Sequence, residues 1–106
     1  MDDLKKLVRL NQLFDLYHPL LTDKQCQYFK AYYFNDSSLS EVATSFNVSR
    51  NAIYSQLSDI IKELESLENK LHLLKNSKKR KELIMTLKEE ASSEQLVLLE
   101  KLEEIE

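Results

Sequence analysis

The chain has 106 residues, which is one small domain or little more, because a domain takes about 100–200 residues. Apolar residues make up 42% and charged residues 31%, with no Gly and one Pro, so Gly-rich phosphate loops, nucleotide fingerprints and Gly-dependent hairpin turns are excluded and an all-α fold is expected. A net charge of −3 denies the chain a generic basic footprint for nucleic acid, and a lone Cys26 with two distant histidines, His18 and His72, offers neither a disulfide nor a metal-ligand set.

The first helix is expected from Asp2 to about Tyr17. Leu4, Leu7, Val8, Leu10, Phe14 and Tyr17 recur at helical spacing, and Pro19 ends the run. Its opening, MDDLKKLVRL, is amphipathic and not a signal peptide. No apolar run approaches the roughly 20 residues of a membrane span. A cytoplasmic protein without membrane insertion is the expectation. Thr22 then caps a second helix, with Gln25 in the capping-box position, and Asn35-Asp36-Ser37 breaks it. Ser38 with Glu41 opens a short third helix whose Leu39, Val42, Ala43 and Phe46 face inward. Asn47 supplies a left-handed turn residue. Ser49 caps the fourth helix. Ile53, Leu57, Ile60, Leu64, Leu67, Leu71 and Leu74 repeat on it at 4-3 spacing, and nothing interrupts it before Asn76-Ser77. Two further amphipathic stretches follow. One carries Leu83, Ile84, Leu87 and Ala91. The other starts at Ser92 to Gln95 and carries Leu96, Leu99, Leu102 and Ile105. The division expected is residues 1–75 with the long helix, and 76–106 as a C-terminal helical hairpin on which that helix packs.

Residues 38–61 read as a helix-turn-helix: short helix, tight turn, longer helix. Ala43 is the small residue at the crossing, Phe46 and Val48 flank the turn, and Ile53 and Leu57 lock the second helix onto the first. Such a second helix lies in the major groove with its N-terminal residues at base edges. Ser49, Arg50, Asn51 and Tyr54 are therefore the candidate contacts, Arg suiting guanine and Asn adenine through paired hydrogen bonds. Ser49 also has a plain role as a cap. Across residues 38–62 two bases, Arg50 and Lys62, meet two acids, Glu41 and Asp59. A neutral reading head predicts weak, salt-sensitive binding, since phosphate neutralisation supplies most non-specific affinity.

Over residues 10–57 the stretches LLTDKQ, SLSEVA and NVSRNAIY resemble the YlxM family of small bacterial helix-turn-helix proteins. That resemblance implies a fold similar to region 4 of sigma factors, winged-helix-like but without the wing. It also implies a link with the signal recognition particle pathway in a regulatory or accessory role. DNA, or the RNA or protein of that particle, would then be the partner. An ordinary DNA-binding regulator and a helical protein-interaction adaptor are the alternative readings.

The aromatic set Tyr28, Phe29, Tyr32, Tyr33 and Phe34 has the chemistry to stack on RNA bases, but its two neighbouring faces suit packing against the flanking helices better. The long seam invites a homodimer. A parallel in-register pairing would set Glu63 against Glu68 and Lys70 against Lys75, and both pairs repel, so that arrangement is disfavoured. Lys78, Lys79, Arg80 and Lys81 form the one strongly basic run and are candidate phosphate contacts. Bases at a helix N-terminus oppose the macrodipole, so either the helix runs on through Asn76 and Ser77 or the run is kept for phosphate. No nucleophile elbow, His-carboxylate spacing or cofactor motif is present, and neither catalysis nor a cofactor is expected.

Overall fold

Capping chemistry decides where the helices of this chain begin. A computed structural model describes residues 2–105. Helix α1 spans Asp2–Tyr17, and Pro19 sits in a 3-10 turn, His18–Leu20, that closes it. Helix α2 spans Asp23–Phe29 and continues as a π-helical turn, Lys30–Phe34. Helix α3 spans Leu39–Phe46, α4 Arg50–Leu71, α5 Leu73–Glu89 and α6 Ser93–Glu104. The fold is all-α, with no strand among the described residues. Thr22, Ser38 and Ser92 each complete a reciprocal capping box, with Gln25, Glu41 and Gln95. Each box satisfies two backbone N–H groups that a helix start leaves unpaired.

The chain divides into two compact units, residues 1–71 and 72–106. In the first unit α4 packs against α1, α2 and α3. Leu13, Tyr17, Phe29, Val42, Ile53, Ile60 and Leu64 are essentially closed to solvent there. Each such side chain contributes about 1.5–3 kcal/mol on burial. Phe14 stacks flat on Phe29, with ring centroids 4.2 Å apart, and Tyr28 meets Phe46 edge-on at 4.7 Å. The aromatic set is thus graded: Tyr28 and Phe29 are buried, Tyr32 and Tyr33 half-buried, and Phe34 is half exposed. In the second unit α5 and α6 pack on each other, joined by an ion pair between Lys88 and Glu103.

One expectation needs correction. The 4-3 spacing predicts a helix unbroken to Asn76-Ser77, but α4 stops at Leu71. His72 adopts the left-handed conformation, φ 57°, and α5 starts at Leu73. His, like Asn and Asp, is enriched in that region, so a pattern of apolar spacing carries on through a residue that ends the helix. Helix α5 then runs through Asn76 and Ser77, which places the basic run in its second and third turns. The apolar repeat itself changes role along α4. Ile53, Leu57, Ile60 and Leu64 are core, Leu67 is half-buried and Leu71 is exposed, while Glu68 is buried.

Candidate nucleic-acid interface

The helix-turn-helix is built by three local devices. Helix α3 ends on Asn47 with φ 56° and ψ 45°. The Asn47 N–H donates to the Thr44 carbonyl at 3.2 Å and the Val48 N–H to the Ala43 carbonyl at 3.0 Å. Those two bonds are the Schellman pattern, which satisfies carbonyls at the end of a helix. The Ser49 hydroxyl then accepts the Ala52 N–H at 3.0 Å and starts α4. Ala43 is buried at the crossing with Ile53 and Leu57 on the inner side of α4, so the angle between the two helices is fixed by packing.

That geometry sorts the first turn of α4 into two faces. Ile53 is wholly enclosed, while Arg50, Asn51 and Tyr54 are exposed, Tyr54 at 62%. Ser49 serves as the cap, which engages its hydroxyl oxygen. An open groove of about 940 Å³ adjoins Arg50, with Lys6 of α1, Tyr32, Tyr33 and Ser38 among its walls. Its rim mixes signs, since Asp3, Asp36 and Glu41 face it beside Lys6 and Arg50. The Glu41 carboxyl is held below its ordinary value of 4.5 by the hydrogen bonds that Ser38 makes to it from its backbone and side chain. Burial pushes the Tyr33 hydroxyl above its ordinary 10.0. The groove is therefore a mixed polar and aromatic cleft, not a basic cradle.

The other four candidates, Lys78, Lys79, Arg80 and Lys81, are exposed on α5 in the second unit. The eight residues expected at a nucleic acid thus fall into two groups on two units. Four successive residues span three steps of about 100° each and sweep about 300°, most of a turn, so the basic run faces several directions.

Two polar ties that hold α4 were not foreseen from sequence. The Arg9 guanidinium donates twice to the Glu65 carboxylate, both bonds at 2.9 Å. The bond from Arg9 is the main cause that lowers the Glu65 carboxyl below its ordinary 4.5. The Tyr17 hydroxyl donates to buried Glu68 at 2.7 Å. The signal available was positional: Glu68 stands four residues after Leu64 and three before Leu71, on the inward stripe of α4. No described helix is long and apolar enough to cross a membrane.

Residues 4–105 match the family model UPF0122, described as "Putative helix-turn-helix protein, YlxM / p13 like". The chain is similar to the UPF0122 protein YofM of Lactococcus lactis subsp. lactis (strain IL1403), 44% identical over 104 residues, which cover 98% of this chain and 93% of that one. It is also similar to BH2485 of Halalkalibacterium halodurans, 45% identical over 108 residues, covering 97% and 99%. The YlxM protein of Bacillus subtilis (strain 168) is 44% identical over 108 residues, covering 97% and 98%.

Proposed function

Since the chain belongs to the YlxM/p13-like helix-turn-helix family, we propose that it is a regulatory or accessory factor that acts on nucleic acid through the first turn of α4. The observation that carries this reading is the exposure of Arg50, Asn51 and Tyr54 on a helix whose opposite side, Ile53 and Leu57, is locked into the core. A reading helix must present its N-terminal side chains without paying for their order separately, and a capped, packed first turn does this. Arg50 would pair with guanine and Asn51 with adenine, with Tyr54 alongside. The exposed bases of the Lys78–Lys81 run supply a second, non-specific phosphate contact in this reading.

The likeness to YlxM proteins extends the proposal to the signal recognition particle pathway, which sets the probes. The test is a titration at several salt concentrations against a mixed DNA duplex pool, the RNA of the particle and its protein component. Duplex binding should weaken with salt, because phosphate contacts release counterions. Arg50→Ala should weaken it by about 1–3 kcal/mol, roughly 5- to 150-fold in Kd, with the helical circular dichroism unchanged. Binding to the particle's RNA or protein, unchanged in Arg50→Ala and without duplex binding, would make α4 scaffold instead of reader and overturn this assignment.

A further inference from the structure

The C-terminal hairpin leaves a large part of its apolar surface open. No residue of α6 is fully buried, and α5 contributes Leu74 and Ile84 alone. A helix as short as α6, 12 residues, is marginal in water by propensity, and packing of an amphipathic face is what stabilises it. Leu83 and Leu87 lie one turn apart on α5, and Leu98 and Leu102 lie at i and i+4 on α6, with Ile105, the residue that caps α6, at i+7. All five are exposed, from 49% at Leu102 to 82% at Ile105. Leu87 and Leu98 both line one groove of about 540 Å³, and helical spacing puts Leu83 on the side of Leu87, and Leu102 and Ile105 on the side of Leu98. Scattered exposed leucines are ordinary, but a contiguous face two helices wide marks a contact surface.

The charges flanking this face are polarised along it. Helical spacing puts Glu90 three residues after Leu87 and Glu94 four residues before Leu98, at the closed end of the hairpin where α5 turns into α6. Lys79 stands four residues before Leu83, toward the open end, while Lys101 lies within the apolar stretch between Leu98 and Leu102. A second copy laid on this face in the same direction would set Glu90 on Glu94 at the closed end, acid on acid. Laid in the opposite direction, about a two-fold axis, with Leu83 on Leu87, it sets Glu90 of one copy against Lys79 of the other, twice. A two-fold interface uses the same patch on both subunits and must be self-complementary, and this patch is.

We propose that the α5–α6 hairpin is a homodimerisation unit, in which two copies close an antiparallel four-helix bundle over Leu83, Leu87, Leu98, Leu102 and Ile105. The bundle gives α6 the buried seam it lacks, and its register is set by the polarised ends. The surface is separate from the seam of α4, and the inference stands whether or not α4 reads DNA.

Sedimentation equilibrium of the full chain tests it, with circular dichroism as the control for folding. The wild type should sediment as a dimer, and Leu98→Glu should raise the dimer Kd by about tenfold or more, as loss of a central apolar anchor does. The charge variants decide the orientation. Lys79→Glu and, separately, Glu90→Lys should each weaken self-association, and an equimolar mixture of the two should restore a dimer. A wild type that stays monomeric up to about 100 μM would refute the proposal. So would a dimer that neither Leu98→Glu nor the charge variants alter, since it would use another surface.

Discussion

The Tyr17–Glu68 hydrogen bond should be the most consequential polar contact of the N-terminal unit. Tyr17 is completely enclosed and Glu68 is 6% exposed, and the bond of 2.7 Å joins α1 to the last third of α4. Tyr17→Phe keeps the ring and its packing and removes one donor. A hydrogen bond to a carboxylate contributes about 1.5–3 kcal/mol, and the buried acceptor it leaves behind has little access to water. In a unit of this size each kcal/mol moves Tm by about 4–8 °C, so a loss of about 6–24 °C is expected. All five tyrosines lie within residues 1–71, so near-UV circular dichroism during thermal or urea unfolding reports this unit without interference from α5 and α6. A double-mutant cycle with Glu68→Gln isolates the pair from other contacts of the carboxylate. A Tyr17→Phe loss below about 0.5 kcal/mol, the range of an ordinary surface substitution, would show that the hydroxyl does not tie the two helices.

Asn47→Val should destabilise the turn by about 1–2 kcal/mol, because a β-branched residue is forced into the left-handed region, whereas Asn47→Gly should cost far less; urea midpoints of the two variants check this. The Arg9–Glu65 pair should make a pH-dependent contribution of at most about 1 kcal/mol, given that both side chains are more than two-fifths exposed. Its sign follows from the lowered Glu65 value: the contribution is present above the ordinary carboxylate range and is lost as pH falls through the lowered value. The difference in stability between wild type and Arg9→Met should therefore be largest near neutral pH and vanish in acid, and a difference that grows on acidification would contradict the assignment.

Local chemistry is what the sequence by itself determined. Thr22, Ser38, Ser49 and Ser92 start helices because a side-chain oxygen three residues before an unpaired N–H satisfies it wherever the chain goes next. Asn47 and the spacing of Ala43, Phe46, Val48, Ile53 and Leu57 made the helix-turn-helix legible for the same reason, since its contacts are close in sequence. The exposure of Arg50, Asn51 and Tyr54 followed from their offset to the inward stripe. Long-range pairing decided the rest. Arg9 finds Glu65 across 56 positions and Tyr17 finds Glu68 across 51, separations that no periodicity encodes. Apolar spacing continues past Leu71 as though the helix did, because a period reports which side of a helix is greasy and is blind to a single left-handed residue such as His72. Tertiary packing also separated the leucines by role. It sealed Ile53, Ile60 and Leu64 against three neighbouring helices and left Leu83, Leu98 and Ile105 open, although the same residue types at the same spacing stand in all of these positions.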